Sequence, residues 1–282
     1  TSPRKPYSSM STPYSLPVMK SNKEIVNIVV PVYKTELTPY EKLSLDRLVQ
    51  VLGNYPKTII HPRGLNLAPV TDRYPGAFTT QAFAADYFAD IDGYNRLMLS
   101  PEFYEAFLSF DHILIYQLDA YVFRDELTAW CARGYDYIGA PWLCKTKYNR
   151  FPLNIFLKTR GLAYHLFHIK HRQQCFYRVG NGGLSLRVPA SCLRILREQQ
   201  STVKHYLKNL QKSSQYNEDV FWALEAARQP YFRIPGWQEA LRFSFDLFPE
   251  LCYHYSQHHL PFGCHRWHKE LQFWQDHIPL PK

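Results

Sequence analysis

The chain has 282 residues, of which 46% are hydrophobic, and its formal net charge is +9. This length can bury one substantial core but is short for two independent domains, so we predict a single domain. The excess of positive charge favours anionic partners such as nucleotide diphosphates, nucleic acid or acidic lipid headgroups. Apolar runs are short, and none approaches the roughly 20 residues that a membrane-spanning helix needs. We therefore expect a soluble protein.

Two segments differ in composition from the rest of the chain. Residues 1–22 are rich in Ser, Pro and Lys and lack the apolar region of a signal peptide, so we interpret them as a flexible leader before a domain at 23–282. Residues 138–178 contain Lys and Arg but no Asp or Glu, which indicates a basic insertion or lid. Its apolar part, Phe151–Phe167, fits either a peripheral contact with a membrane surface or a solvated loop.

The six cysteines are scattered along the chain and show no disulfide framework. Such a pattern is typical of a reduced intracellular protein. We therefore expect a cytoplasmic location, and the basic insertion adds a possible position at the inner face of the membrane.

Strand and helix patterns begin to alternate after the leader. Ile25–Val32 is β-branched and almost continuously apolar, which predicts a first strand buried on both faces of a parallel sheet. Pro39–Leu52 follows with leucines at helical spacing and a proline suited to a first turn. Lys57–His61 then predicts a second short strand.

The alternation continues as far as the middle of the chain. Thr79–Phe110 has mixed helical spacing and predicts two or three short helices, with Asn95 and Arg96 between them. His112–Gln117 is another apolar strand. Alternating strands and helices predict an α/β fold with a mostly parallel sheet covered by helices. Ligands bind beyond the carboxyl ends of such strands, which makes Asp119 a candidate site residue.

Asp119 lies where the apolar run ILIYQL stops. A carboxylate in that position is costly unless solvent, a cation or a hydrogen-bond donor meets it. It is suited to hold a divalent ion against a pyrophosphate, because hard cations prefer oxygen ligands. The alternative is a solvated strand end or a helix cap.

A glycine-rich motif precedes the next predicted strand, Leu184–Val188. In Gly180–Gly183 (GNGG) the glycines let the backbone approach a ligand closely, and Asn181 offers both a donor and an acceptor. An ordinary turn is the alternative interpretation.

Helices are predicted over Ala190–Leu210 and Glu218–Ala227, before an aromatic, proline-punctuated tail. The second helix begins after Asn217, which suits an N-cap, and it carries Glu218 and Asp219 in its first turn. The helix dipole favours acids there, so we expect a lowered pKa for these carboxylates.

Taken together and in order, seven motifs resemble those of a bacterial family of uncharacterised domains grouped with GT-A glycosyltransferases. They span about Ile25 to Trp267 and read VVPVYK (Val29–Lys34), YNRLMLSPEFYEAF (Tyr94–Phe107), ILIYQLDAYVFRDEL (Ile113–Leu127), GYDYIGAPW (Gly134–Trp142), VGNGGLSLR (Val179–Arg187), NEDVF (Asn217–Phe221) and PFGCHRW (Pro261–Trp267). Their order also resembles that of glycogenin-like transferases.

The resemblance implies a single-domain, GT-A-like (Rossmann-like) α/β fold. It implies transfer of a sugar from a nucleoside-diphosphate sugar, with UDP as the expected nucleotide, to a hydroxyl of a saccharide or lipid-linked acceptor in cell-surface polysaccharide synthesis. It also implies Mn²⁺ or Mg²⁺ at Asp119 and His265, and catalysis by Asp219 and Glu218. The implied donor-binding residues are Val30, Pro31, Tyr33, Asn95, Arg96, Gln117, Asp119, Asn181, Gly182 and Gly183.

One motif departs from the GT-A pattern. Enzymes of this fold usually show Asp-x-Asp, whereas the two possible registers here read Gln117-Leu118-Asp119 and Asp119-Ala120-Tyr121. One expected carboxylate is absent, which leaves two interpretations open. In the first, His265 and phosphate complete a weak metal site. In the second, basic side chains neutralise the leaving diphosphate without a metal.

The role of the acidic pair depends on the stereochemistry of transfer. In an inverting reaction Asp219 or Glu218 accepts the proton of the acceptor hydroxyl, and in a retaining reaction the same carboxylate stabilises an oxocarbenium-like intermediate. A noncatalytic nucleotide-sugar or glycan-binding module on a GT-A shell is the alternative function. Nucleic acid is not an expected partner, because no helix-turn-helix, zinc-finger or RNP-like pattern occurs.

Overall fold

The computed structural model describes residues 24–166 and 170–281, so the predicted leader at 1–22 lies outside the described residues. Within this part of the chain nine strands form two sheets. The strands are β1 (Glu24–Pro31), β2 (Lys57–Pro62), β3 (Thr79–Phe83), β4 (Phe110–Tyr116), β5 (Ala120–Val122), β6 (Tyr137–Ile138), β7 (Leu184–Arg187), β8 (Ser244–Phe245) and β9 (Gly263–His265).

Helices connect the strands and cover the larger sheet. They are α1 (Pro39–Val51), α2 (Ala68–Thr71), α3 (Ile91–Met98), α4 (Pro101–Glu105), α5 (Leu127–Cys131), α6 (Leu153–Leu166), α7 (Pro189–Glu198), α8 (Gln200–Asn209), α9 (Glu218–Leu224), α10 (Trp237–Phe243), α11 (Pro249–Tyr255) and α12 (Leu271–Trp274). None of the helices in these ranges has the length and apolar character required to cross a bilayer.

The larger sheet has the strand order β3-β2-β1-β4-β7-β6. Strand β1 pairs in parallel with β2 and β4, and β2 pairs in parallel with β3. Strand β7 runs antiparallel to both β4 and β6. The predicted mostly parallel sheet flanked by helices is therefore confirmed, with an antiparallel pair of strands added at one edge.

Strand β1 shows how the sheet forms its core. Val26, Ile28 and Val30 belong to the cluster that packs against α1, whereas Val29 between them belongs to the cluster on the opposite side. All four side chains are at most 2% exposed. This strand is buried on both faces, as its continuous apolar run predicts.

Three predictions about local structure differ from the structure. Thr79–Phe83 is an edge strand rather than a helix, and because its first three residues are exposed it has no apolar pattern that would signal a strand. Asn95 and Arg96 lie inside α3 rather than between helices, where the Asn95 side-chain amide donates to the carbonyl of Ile91 at 2.8 Å. The single helix predicted over Ala190–Leu210 is divided at Gln199 into α7 and α8.

The smaller sheet, with the order β5-β9-β8, brings the end of the chain to the end of β4. Ala120 pairs with His265 across β5 and β9, and the Ala120 N–H donates to the carbonyl of Gln117 at 2.8 Å. Trp267 and Trp274 are fully buried beneath this sheet in a core of their own. The C-terminal motif is thereby placed next to Asp119.

Candidate functional site

A cavity of about 950 Å³ opens at the carboxyl ends of β1 and β4, between the two sheets. Its volume lies in the range of small-molecule binding sites. The predicted site residues that line it are Pro31, Tyr33, Asn95, Gln117, Asp119, Asn181, Gly182, Gly183, Glu218, Asp219 and His265. Residues from six separate motifs of the sequence therefore meet at one cavity.

Two predicted donor-binding residues lie elsewhere. The side chain of Val30 is fully buried in the core against α1, so it does not line the cavity. Arg96 does not line the cavity, and its guanidinium donates to the carbonyl of Asp86 at 3.1 Å. In this arrangement Pro31 and Tyr33 are the residues of the first motif that a ligand can reach.

The imidazole of His265 lies at the centre of the site. Its Nε2 lies 3.0 Å from Asp119 Oδ1 and 3.2 Å from Gln117 Oε1. Its Nδ1 lies 3.2 Å from Asp246 Oδ1. A second imidazole, that of His268, has its Nδ1 3.9 Å from the other oxygen of Asp119. Asp119 and Asp246 therefore face the ring of His265 from opposite sides.

Asp246 is the site residue that the sequence interpretation missed. It follows β8 directly and is 3% exposed. The signal in the sequence is the one that identified Asp119, namely a single acid inside an apolar run, here FSFDLF (Phe243–Phe248). A buried carboxylate needs a cation or donors, and for Asp246 His265 meets that need.

The pKa values of this cluster reflect its mutual attraction. Burial alone would lower the pKa of His265, but Asp119 and Asp246 raise it to about 9. For Asp119, burial alone would raise the pKa, but His265 and His268 lower it below its usual value. Near neutral pH the protein by itself thus holds an imidazolium between two carboxylates, and the field that draws a proton here also favours a metal cation.

The described residues contain no cluster of three or more His, Cys, Asp or Glu side chains suited to a metal ion. Gln117, however, adds an amide oxygen beside Asp119 and His265. Neighbouring ligands of an ion with bonds of about 2.1 Å lie about 3 Å apart, close to both distances at His265 Nε2. Metal-bound histidines also usually donate their other N–H to a carboxylate, as Nδ1 can to Asp246. The residues present fit a divalent cation.

The glycine-rich motif packs tightly against this cluster. Asn181 adopts a left-handed conformation with φ 57°, and its Oδ1 accepts from the N–H of Gly183 at 3.2 Å. A Cβ on Gly182 would collide with the carboxylate of Glu218, and a Cβ on Gly183 would collide with the ring of His265. The two glycines are therefore required for close packing against Glu218 and His265.

Glu218 forms a buried ion pair with Arg187, with two N···O distances of 3.1 Å. Arg187 is fully buried, and it also donates to the hydroxyl of Tyr104 at 2.9 Å and to that of Ser185 at 3.0 Å. Asn217 is the N-cap residue of α9, as predicted, but its side chain makes no capping hydrogen bond. Instead, Asn95 Oδ1 accepts from the Glu218 N–H at 2.7 Å.

Asp219 is only partly buried and faces the cavity. Its Oδ1 accepts from the N–H of Val220 at 2.8 Å, as suits the first turn of a helix. The expectation of a lowered pKa is nevertheless wrong. Burial, followed by the adjacent charge of Glu218, raises the pKa of Asp219 to about 7. Desolvation and like charge outweigh the hydrogen bond from the Val220 N–H, which favours the anion.

The charge of the cavity is opposite in sign to that of the chain. Only Arg172 of the described Lys and Arg residues in the basic insertion lines it, and Arg266 adds one more guanidinium. The carboxylates that line the cavity are Glu41, Asp90, Asp119, Glu218, Asp219 and Asp246. Glu41 and Glu218 are paired with Lys34 and Arg187, which lie outside the lining. With His265 counted as charged, the other four carboxylates then face three cations, so an excess of one acid remains.

Comparisons with known proteins agree with the fold. The family model described as "Protein of unknown function (DUF5672)" matches residues 77–265. The comparison with curated proteins gives no match. Among solved structures, the galactosyltransferase LgtC in complex with donor and acceptor sugar analogues is similar at a TM-score of 0.53 and 14% identity, covering 88% of this chain and 91% of that chain.

Two further solved structures are similar. An active-site mutant of LgtC has a TM-score of 0.50 and 16% identity, covering 85% of this chain and 86% of that chain. The glycosyltransferase GlyE of Streptococcus pneumoniae TIGR4 has a TM-score of 0.47 and 11% identity, covering 86% of this chain and 54% of that chain. The likeness to LgtC confirms the GT-A-like fold that the motifs imply.

The ion pair between Glu218 and Arg187 generates a prediction about stability. Glu218→Ala leaves a fully buried guanidinium without its counter-ion, so we expect the free energy of unfolding to fall by about 3–5 kcal/mol. Urea denaturation measures this change. Glu105→Ala is the matched control, because it removes the acid of an exposed pair with Arg197 and should leave stability nearly unchanged. Equal effects of the two substitutions would contradict the buried pair.

The raised pKa of Asp219 generates a prediction about pH. In the unfolded chain an Asp titrates near 3.9, so between about pH 4 and pH 7 the unfolded state loses a proton that the folded state keeps. As the pH rises through this interval, the native protein is progressively destabilised. Asp219→Asn removes this titration. With rising pH, the free energy of unfolding of the variant should therefore gain on that of the native protein by at most about 1.4 kcal/mol per pH unit. Urea denaturation at pH 4.5, 6 and 8 tests this, and a constant difference would refute it.

Proposed function

This chain belongs to the DUF5672 family, and we propose that it transfers a sugar from a nucleoside-diphosphate sugar, expected to be UDP-linked, to a hydroxyl of a saccharide acceptor. The observation that carries the proposal is the meeting of Gln117, Asp119 and His265 with Asp219 at one cavity of a GT-A-like fold. The similar structure of LgtC holds donor and acceptor sugar analogues, which supports the same classes of ligand here.

The charge of the cavity supports a cation-dependent reaction. A diphosphate brings negative charge to a wall on which carboxylates outnumber guanidinium groups, and their repulsion opposes binding unless a cation binds as well. The basic insertion adds only Arg172 to this wall among its described residues, which disfavours neutralisation by basic side chains. A Mn²⁺ or Mg²⁺ ion held by Gln117, Asp119 and His265 would stabilise the charge that develops on the departing diphosphate.

The nucleoside is assigned to the end of β1. Tyr33 lines the cavity yet is 57% exposed, so its ring is available to stack on a base. Pro31 lies beside it, at the last residue of the strand. In this proposal Asn95 does not bind the donor. It positions the start of α9 by accepting a hydrogen bond from the Glu218 N–H.

Asp219 is the carboxylate that we assign to the reacting sugar. In an inverting reaction it accepts the proton of the acceptor hydroxyl while the anomeric carbon bonds to that oxygen and releases the diphosphate. A pKa of about 7 suits proton transfer near neutral pH. In a retaining reaction Asp219 stabilises positive charge at the anomeric carbon. Glu218 is ion-paired with Arg187, and it positions Asp219 rather than contacting the sugar.

The test separates donor binding from transfer. We expect a UDP-sugar with Mn²⁺ to raise the Tm of the native protein by about 5 °C when the donor is present at about 100 times its Kd. Asp119→Asn should abolish this shift. Asp219→Asn should keep the shift but lose release of the nucleotide by at least about 100-fold.

The outcomes are distinct. Donor binding without nucleotide release by the native protein, over a panel of saccharide acceptors, would indicate a binding module rather than an enzyme. Near-normal turnover by Asp219→Asn would overturn the role of Asp219. The anomeric configuration of the product, measured by NMR, decides between the inverting and the retaining course.

Asp246 generates a further prediction within this proposal. Because it holds His265 through Nδ1, Asp246→Ala should lower the affinity for Mn²⁺ by about 10–100-fold, measured by calorimetry on the protein without donor. Asp246→Asn should have a smaller effect, since an amide oxygen still accepts from Nδ1. Asp111→Asn removes an exposed carboxylate far from His265 and is the control. Unchanged Mn²⁺ affinity in Asp246→Ala would contradict the positioning role.

A further inference from the structure

The outward surface of α6 and the turn before it is unusually apolar. Phe151 is 79% exposed, Ile155 51%, Phe156 57% and Leu166 72%. With Leu153, these are five of the ten large hydrophobic side chains that are exposed in the described part of the chain. Exposed apolar side chains concentrated on one segment mark a surface that another apolar phase covers.

The helical period explains why these side chains point outward. Among the positions of α6 whose burial the structure describes, the partly buried ones are Asn154, Leu157, Gly161 and Tyr164. Their spacing of three, four and three residues traces one face of the helix. The helix packs against the protein through this mixed stripe. Most of its larger aliphatic and aromatic side chains among the described positions are therefore left on the opposite face.

Exposed basic residues flank the apolar side chains along the chain. Lys145, Lys147 and Arg150 precede α6 and are exposed, and Arg160 is exposed within the helix. The segment from residue 138 to residue 178 contains no acid that could neutralise them. Apolar side chains bordered by Lys and Arg are the combination with which a helix lies in the headgroup region of an anionic bilayer.

The same segment is attached to the cavity at both of its ends. Trp142 and Leu143 line the cavity before α6, and Arg172, Cys175 and Phe176 line it after the helix. A surface bound to the outer face of α6 therefore lies beside the wall of the proposed active site.

We propose that the outer face of α6 and its basic flank bind an anionic bilayer, and that the acceptor is a saccharide on a lipid of that bilayer. The identity of the acceptor rests on the proposed function, whereas the contact with the bilayer does not. A second copy of this chain is a poorer partner, because it would bring the same uncompensated positive charge to the contact. An anionic bilayer supplies both the opposite charge and the apolar interior.

Co-sedimentation with vesicles tests the bilayer contact. We expect the protein to bind vesicles of phosphatidylcholine with phosphatidylglycerol, to bind pure phosphatidylcholine at least tenfold more weakly, and to be released by salt. The double substitution Ile155→Ser and Phe156→Ser, and separately Lys147→Glu and Arg150→Glu, should each reduce binding at least tenfold. Lys204→Glu and Lys208→Glu make the same charge change on exposed positions of α8 and should have a much smaller effect.

Three results would overturn the proposal. They are unchanged vesicle binding by the serine variant, equal binding to neutral and anionic vesicles, and a dimer of the native protein that the serine variant dissociates in analytical ultracentrifugation. The proposed function fails separately, if the native protein transfers sugar to neither a soluble nor a vesicle-borne acceptor while still binding vesicles. If both hold, the serine variant should keep transfer to the soluble acceptor and lose transfer to the vesicle-borne one.

Discussion

The site depends on one buried imidazole held between two carboxylates. His265 comes from the smaller sheet, Asp119 from the turn after β4, and Asp246 from the residue after β8. Burying two carboxylates close together is costly unless positive charge lies between them. The imidazolium supplies that charge in the protein by itself, and the same geometry suits a divalent cation. The smaller sheet, whose β9 carries His265 and pairs with β5 directly after Asp119, therefore completes this charge cluster.

A second electrostatic contrast divides the two neighbouring acids of α9. Glu218 is neutralised by Arg187 in the core, whereas Asp219 faces the cavity without a cation of its own and has a raised pKa. Two adjacent carboxylates placed in such different environments acquire different roles. Since Asn95 and the glycine-rich motif both contact Glu218, the buried pair fixes the start of α9 and with it the position of Asp219 at the cavity.

The sequence predicts well what depends on burial along one element. The first strand and the strand before Asp119 follow from apolar runs, and the position of Asp119 follows from the rule for parallel sheets. The meeting of the other motifs at one site was implied by the resemblance to GT-A glycosyltransferases. Edge strand β3 was not predictable, because its exposed side chains have no apolar pattern. The raised pKa of Asp219 and the contact of Asp246 with His265 depend on which distant residues fold together, and local spacing contains no such information.

The charge of the whole chain and the charge of its cavity have opposite signs, and the two act at different distances. The net charge of +9 attracts anionic ligands and surfaces from solution, and the exposed basic residues around α6 concentrate that attraction beside the cavity. Inside, the excess of carboxylates disfavours an anion that arrives alone. In the proposed reaction, attraction at the surface brings anions to the cavity, and the carboxylates inside favour a diphosphate that binds together with a cation over an anion that binds alone.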